Sequence, residues 1–295
     1  MQIHLNGRLI DQSRARVSHD DAGFQHGVGL FETLTARHGR PFRLRAHLDR
    51  LFNSAAALGL ELTTTAESLD AAVASTLDAN GLTEARIRIT ITPGRLNLLR
   101  ADRADASPTV LVAATPPTIY DPAYFERGIT ATVAAAAANP MDPFAGHKTV
   151  AYWHRLYTLR KAASLGAAEA IWLNVSNHLA SGAVSNLFLV HDGVLLTPPA
   201  RGEEPERALP SPVLPGITRA AVIESAATSG IDVRRQMLTI SDLLDADEVF
   251  LTNSGWQVLP VTTVERKKIG EGRVGPVTCR VRETVLALID EETTS

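Results

Sequence analysis

Cysteine is nearly absent from this 295-residue sequence: Cys279 stands alone, so no internal disulfide framework can form and a reducing cytoplasm is expected. An excess of one charge is missing too. With 29 Lys and Arg against 32 Asp and Glu, the net charge of −3 offers no basic field to nucleic acid or to an anionic membrane. Long apolar runs are missing as well, and the alanine-rich stretch 131–138 is far too short to span a bilayer. The first residues carry no basic-then-apolar secretion pattern. The nine histidines are scattered without close His, Cys or carboxylate spacings, so no metal site is expected. What remains is the composition of an ordinary soluble globular protein.

Lysine is the scarcest of the charged residues. Four lysines, at 148, 161, 267 and 268, stand against 25 arginines. A solvated role covers Lys161, in a helical run, and Lys267 and Lys268, in a polar turn. Lys148 differs, because it lies among small and apolar residues in Ala145-Gly146-His147-Lys148-Thr149-Val150. A lysine can lose its proton, become a nucleophilic amine and form a Schiff base, which an arginine cannot. The plain alternative is a lysine whose stem packs while its head reaches water.

The length suits two lobes, each large enough to bury its own core. Segments 2–5 and 8–10 flank Asn6-Gly7, a hairpin signal. Residues 30–37 and 41–44 suggest a second hairpin turning at His38-Gly39. Leu44, Leu48, Leu51, Phe52 and Ala55 recur at helical spacing, which predicts a helix over 44–58 ending at Gly59. A second helix is expected over 65–80, closed by Gly81, and strands over 86–92 and 109–114. The prolines at 116, 117 and 122 can continue neither kind of element and mark a linker. Beyond it, strands at 128–133, 168–174, 185–190, 231–235 and 248–252 alternate with helices at 152–165, 217–229 and 276–290. The chain therefore reads as an α+β protein with an N-terminal lobe over 1–117, a linker over 118–122 and a C-terminal lobe over 123–295.

Three segments carry potential chemistry besides Lys148. In Leu214-Pro215-Gly216-Ile217-Thr218-Arg219, Gly216 lets backbone approach a ligand where a helix begins. Free N–H groups at such a start bind phosphate, and Thr218 adds a hydroxyl. A plain loop-to-helix junction is the other reading. Thr252-Asn253-Ser254-Gly255 clusters small donors at a strand end, where either a site or an ordinary turn can form. Arg50 lies at the border of a buried stripe, where it either covers apolar neighbours or reaches an enclosed phosphate.

With these segments the chain resembles the fold-type-IV pyridoxal-phosphate enzymes, the class IV aminotransferases. That family includes branched-chain aminotransferases, D-amino-acid aminotransferases and 4-amino-4-deoxychorismate lyases. The likeness runs nearly end to end, through Leu30-Phe31-Glu32-Thr33, His47-Leu48-Asp49-Arg50-Leu51, Lys148-Thr149-Val150-Ala151-Tyr152, Glu169-Ala170 and Ser185-Asn186-Leu187-Phe188. It continues through 214–219, 248–260 and Gly275-Pro276-Val277-Thr278. The resemblance implies a smaller N-terminal α/β sandwich lobe and a larger C-terminal pseudo-barrel lobe carrying the lysine and phosphate cup. It implies pyridoxal 5'-phosphate held through its aldehyde by Lys148, which later moves the substrate's α-proton. Arg50, Ile217, Thr218 and Ser254 would bind the phosphate, Tyr152 would face the phenolic oxygen, and Ser181 would stand at the ring nitrogen. Phe31, Arg95, Asn253, Gly255 and Trp256 would meet the substrate, with the 253–256 turn offering backbone donors to its carboxylate. A homodimer is implied as well.

Two departures bear on activity. Five positions before Asn186, where the family places a glutamate that keeps the pyridine nitrogen protonated, this chain has Ser181. A hydroxyl hydrogen-bonds a neutral ring but does not stabilise a pyridinium as a carboxylate does, which weighs against efficient transamination. Thr252-Asn253-Ser254 looks more like the lyases than the branched-chain enzymes. Trp256 either lines a pocket or packs in the core. The main expectation is transamination between a small amino acid and a 2-oxo acid. The alternatives are cleavage of aminodeoxychorismate to 4-aminobenzoate and pyruvate, or a catalytically weak cofactor-binding relative.

Overall fold

The computed structural model describes residues 1–96 and 108–294. Two compact units emerge: Met1–Thr118 with His147–Tyr152 and Ile289–Ser295, and Ile119–Gly146 with Trp153–Leu288. The break at 118/119 falls in the proline-rich segment.

In the first unit, β1 (Gln2–Leu5) and β2 (Arg8–Asp11) form a hairpin. Asn6 and Gly7 take the positive φ values of 49° and 83° that its two-residue turn demands. A short α1 (Ala22–His26) precedes β3 (Leu30–Arg37). The strand expected over 41–44 is only the two-residue β4 (Arg40–Pro41), because Pro41 has no N–H to extend the ladder and α2 (Leu44–Ala57) begins at once. Thr65 caps α3 (Ala66–Asn80), and Gly81 closes it at φ 59°. With β5 (Ala85–Thr92) and β6 (Thr109–Thr115) the sheet order is β2-β1-β6-β5-β3-β4, antiparallel throughout.

Alternation along the strands divides this sheet's two faces. Leu34, Ile87, Ile89 and Val112 pack with Leu48 and Leu51 of α2 and Leu69, Val73 and Leu77 of α3. The intervening positions, Phe31 on β3 and Arg86 and Arg88 on β5, point the other way. Lys148 follows the linker in the chain yet clusters with this unit, because its segment joins the first residues of β3. Phe31 N–H donates to the Lys148 carbonyl, and Val150 N–H to that of Gly29, both at 2.9 Å. A Cβ at Gly29 would run into the Ile91 carbonyl oxygen, so only glycine permits that approach.

The second unit opens with α4 (Ala123–Glu126), β7 (Ile129–Ala138), α5 (Trp153–Ser164), β8 (Glu169–Asn174) and β9 (Leu179–Gly182). Next come β10 (Asn186–His191), β11 (Val194–Thr197), α6 (Ile217–Thr228), β12 (Val233–Arg235) and α7 (Ile240–Leu244). Then follow β13 (Glu248–Asn253), β14 (Gln257–Val264), β15 (Lys267–Lys268) and α8 (Pro276–Thr294). The sheet runs β12-β11-β10-β13-β14-β7-β8-β9, with β15 on β14. It mixes directions, since β14, β7 and β8 are parallel neighbours and the β10-β13-β14 run is antiparallel. The end strand β9 also packs against β10, so the sheet curls toward closure. Strand β7 extends through the alanine run past the expected end at 133, because β8 goes on pairing with it at Ala137 and Ala138, and those hydrogen bonds outweigh alanine's helical preference. Among the described residues no helix is long and apolar enough to cross a membrane.

Candidate active site

The Lys148 ammonium sits 4.6 Å from the centre of the Phe31 ring and 5.9 Å from that of Tyr152. The two rings meet edge to face at 5.4 Å. The Arg88 guanidinium lies 4.0 Å over the Phe31 ring. Lys148 is half-buried as a residue, but its amine end is enclosed, and the loss of solvation pushes its pKa from 10.5 down to about 8. Glu32 pulls the other way, while Arg50, Arg88 and Arg86 reinforce the fall. The result is an amine that gives up its proton near physiological pH, the property a carbonyl-trapping lysine needs.

Arg50 approaches this amine from α2 and is positioned by Glu32. Its Nε donates to Glu32 Oε1 at 2.8 Å and its Nη2 to Oε2 at 2.5 Å, while His47 Nδ1 lies 2.8 Å from the same Oε2. Burial alone would raise the Glu32 pKa, but Arg50 and His47 overcome it and hold the carboxyl at about 2. Burial lowers the His47 pKa, partly offset by Glu32. Neither Glu32 nor His47 is marked out by the sequence for a role. The available signal was a carboxylate on the same alternation as Leu30, Leu34 and Ala36, a core position that an unpaired charge cannot occupy cheaply.

The phosphate-type segments lie in the second unit. Helix α6 starts at Gly216, which has no side chain with which to cap the first N–H groups, those of Ile217 and Thr218. Gly216 is required there because a Cβ would collide with the Asn186 side-chain oxygen. Thr218 is buried and Ile217 half-buried. Arg219 is directed away from that end, paired with Glu203 at 2.7 Å. At the end of β13, Ser254 is half-buried, and the buried Thr252 hydroxyl has no hydrogen-bond partner among the described residues. An uncapped helix start, a small hydroxyl and an orphaned hydroxyl are donors for which phosphate is a fitting acceptor.

The 253–256 turn differs from expectation. Asn253 Oδ1 accepts from Gly255 N–H at 2.8 Å and from Trp256 N–H at 3.1 Å, so these donors are occupied within the turn. Trp256 packs in the core against Tyr120, ring centres 5.9 Å apart, rather than standing free. Arg95 is not among the side chains gathered round Lys148. It is 70% exposed, with its Nε 3.6 Å from Asp20. Ser181 is buried at the end of β9, and its hydroxyl receives a hydrogen bond from Arg155 Nη1 at 3.0 Å. Arg155 carries no sequence signal beyond its place on an amphipathic helix, so it went unread.

Comparison with known proteins agrees with this chemistry. The profile of the amino-transferase class IV family matches residues 29–264. The chain is 35% identical to the branched-chain-amino-acid aminotransferase of Escherichia coli K12 over 299 aligned residues, covering 99% of this chain and 94% of that protein. It is 34% identical to a putative branched-chain-amino-acid aminotransferase of Methanocaldococcus jannaschii, covering 96% and 94%. The crystal structure of the E. coli enzyme superposes with a TM-score of 0.89 at 33% identity, covering 99% and 95%. A T.th. branched-chain amino acid aminotransferase with pyridoxamine 5'-phosphate gives 0.88 at 29%, covering 99% and 94%. The 4-amino-4-deoxychorismate lyase of Pseudomonas aeruginosa gives 0.81 at 26%, covering 97% and 98%. A family profile over residues 29–264 and a fold shared at this level over almost the whole length place the chain in the class IV aminotransferase family, the pyridoxal-phosphate-dependent enzymes of fold type IV.

Proposed function

We propose that this protein is a pyridoxal 5'-phosphate-dependent aminotransferase that exchanges an amino group between a small amino acid and a 2-oxo acid. The observation that carries the reading is the Lys148 amine, enclosed by Phe31 and Tyr152 with its pKa brought down to about 8. When bound, the cofactor supplies an aldehyde for that amine and a ring that withdraws electrons from the substrate's α-carbon. Lys148 would be the amine that holds the cofactor's aldehyde and the base that moves the substrate's α-proton. Arg50, kept in place by Glu32, the N–H groups of Ile217 and Thr218 and the Ser254 hydroxyl would each offer donors to the phosphate. Tyr152 is assigned to the phenolic oxygen and Ser181 to the ring nitrogen. Phe31 forms the apolar wall beside the reacting amine. The 253–256 turn, with its donors already used by Asn253, serves as a rigid wall rather than a carboxylate clamp. The enzyme is assigned to the cytoplasm, as its lone cysteine suits, and to a homodimeric state.

The second reading, aminodeoxychorismate cleavage, is supported by Ser181 in place of a carboxylate. A single-turnover assay on the loaded protein separates the two. Conversion of the cofactor to pyridoxamine phosphate by branched-chain amino acids or alanine is the expected outcome. Pyruvate released from aminodeoxychorismate without that conversion would replace the first reading by the second. Neither product, from a protein that retains cofactor, would leave only a binding role.

A further inference from the structure

An arginine in the first turn of a helix whose start is assigned to phosphate invites reading as a ligand for the anion, and Arg219 stands in that turn of α6. Its hydrogen bonds run elsewhere. Arg219 is 2% exposed, and its Nη1 and Nη2 donate to the two carboxylate oxygens of Glu203 at 2.8 and 2.7 Å. Nη2 also donates to the Pro198 carbonyl at 3.1 Å, and Nε to the Thr197 hydroxyl at 3.3 Å. Four of the five guanidinium N–H groups are therefore engaged by residues 197, 198 and 203.

The acceptors are themselves fixed. The Thr197 hydroxyl, at the end of β11, donates to the Leu187 carbonyl of β10 at 2.8 Å. Glu203 Oε2 accepts from the Ala200 N–H at 2.8 Å, and the Ala200 carbonyl accepts from the Glu203 N–H at 2.9 Å, which closes the 200–203 turn round the carboxylate. The exposed Arg235 also reaches Glu203, with its Nε 3.2 Å from Oε1. Burial alone would raise the Glu203 pKa, but Arg219, the Ala200 N–H and Arg235 lower it, so the carboxyl stays ionised. On the entering side of the helix, Asn186 Nδ2 donates to the Leu214 carbonyl at 2.9 Å. The backbone that starts α6 is thus pinned before Gly216 by Asn186 and after it by Arg219.

We propose that Arg219 and Glu203 form a buried clamp that holds the first turn of α6 in the shape that binds phosphate. Arg219 is then a positioning residue, acting through the N–H groups of Ile217 and Thr218 without touching the anion. The inference rests on the proposed assignment of those N–H groups to the phosphate and deepens it. Backbone donors bind an anion well only when they converge on one point, and a helix end left to itself frays. A guanidinium fork on a carboxylate fixes direction as well as distance, which the point charge of a lysine does not. The alternative is that Glu203 acts by charge alone, and it has the opposite sign. Removing a negative charge near a phosphate site would tighten the site, whereas opening a clamp loosens it.

The test follows the backbone amide NMR signals of Ile217 and Thr218 in the full-length, cofactor-free protein as inorganic phosphate is added. In the wild type both signals are expected to move with phosphate. Glu203→Gln and Arg219→Lys should each weaken that binding at least about tenfold, the scale of one lost charge-assisted hydrogen bond. Arg235→Gln, which removes a charge from Glu203 but no bond to α6, should bind as the wild type does. Phosphate bound equally or more tightly by Glu203→Gln overturns the inference, as does wild-type affinity in Arg219→Lys. A loss in Arg235→Gln as large as in Glu203→Gln would mark a diffuse charge effect and overturn it too. Should Arg219→Lys fail to fold, Glu203→Gln decides the matter, since the Glu203 side chain is 27% exposed and tolerates the change. The two levels of failure are distinct. Signals of Ile217 and Thr218 that ignore phosphate in the wild type remove the phosphate assignment and this inference with it, whereas signals that respond alike in wild type and variants remove this inference alone.

Discussion

At the scale of single residues, Lys148 and its environment make the sharpest claim. Burial and the guanidinium groups of Arg50, Arg88 and Arg86 lower its pKa against the pull of Glu32. For a lysine, a lowered value means that the nucleophilic form gains as pH rises through about 8 rather than 10.5. At neutral pH that is a gain in free amine on the order of a few hundredfold. Uptake of pyridoxal phosphate by the cofactor-free protein, followed by absorbance, should rise with a midpoint near pH 8 and vanish in Lys148→Arg. A midpoint above pH 10 would show an ordinary solvated lysine. The sequence made Lys148 legible through its scarcity and its small, apolar neighbours. It left Glu32, His47 and Arg155 unread, since each acquires its role only from a partner brought in by folding, 15 residues away for Glu32 and His47 and 26 for Arg155 and Ser181.

At the scale of elements, the helices over 44–57 and 66–80 were readable because a 3.6-residue stripe is a local signal, as are Thr65 and Gly81 at the two ends of the second. Strand β14 was not, because Pro260 lies in its middle and its burial depends on partners on both sides. Strand β9 is four residues long and was equally silent. It is held beside the 182–185 loop by Glu169, whose carboxylate accepts three backbone N–H groups and one hydroxyl. Truncating that carboxylate in Glu169→Ala leaves those buried donors unpaired, at about 1–3 kcal/mol for each group that water cannot reach. We expect a loss of at least ~3 kcal/mol in urea unfolding, with hydrogen exchange at Ala183 and Val184 accelerated more than in the first unit's strands. Unchanged stability would mean that the raised pKa of Glu169 already marks a neutral, weakly engaged group.

At the scale of the whole molecule, the α+β character was legible. The clustering of Lys148 with the first unit was not, since it follows from backbone pairing between Lys148 and Phe31 across more than a hundred residues. Association is also a whole-molecule property, and the second unit carries a surface suited to it. Trp153, Leu156 and Tyr157 stand 65%, 42% and 56% exposed at i, i+3 and i+4 along α5, one face of that helix. Met141 and Phe144, in the same unit, are 68% and 58% exposed. Large apolar side chains grouped on one helix face cost solubility unless something covers them. The proposed homodimer assigns this cover to a second copy of the chain. Light scattering on the eluted protein should give twice the 31.7 kDa of one chain. The double variant Leu156→Asp, Tyr157→Asp should elute as a monomer, because a charge buried unpaired in an interface costs several kcal/mol while the same residue on an exposed helix face costs little. Circular dichroism of the variant guards against simple unfolding. A folded variant that stays dimeric would move the interface elsewhere, and a monomeric wild type at micromolar concentration would remove the dimer altogether.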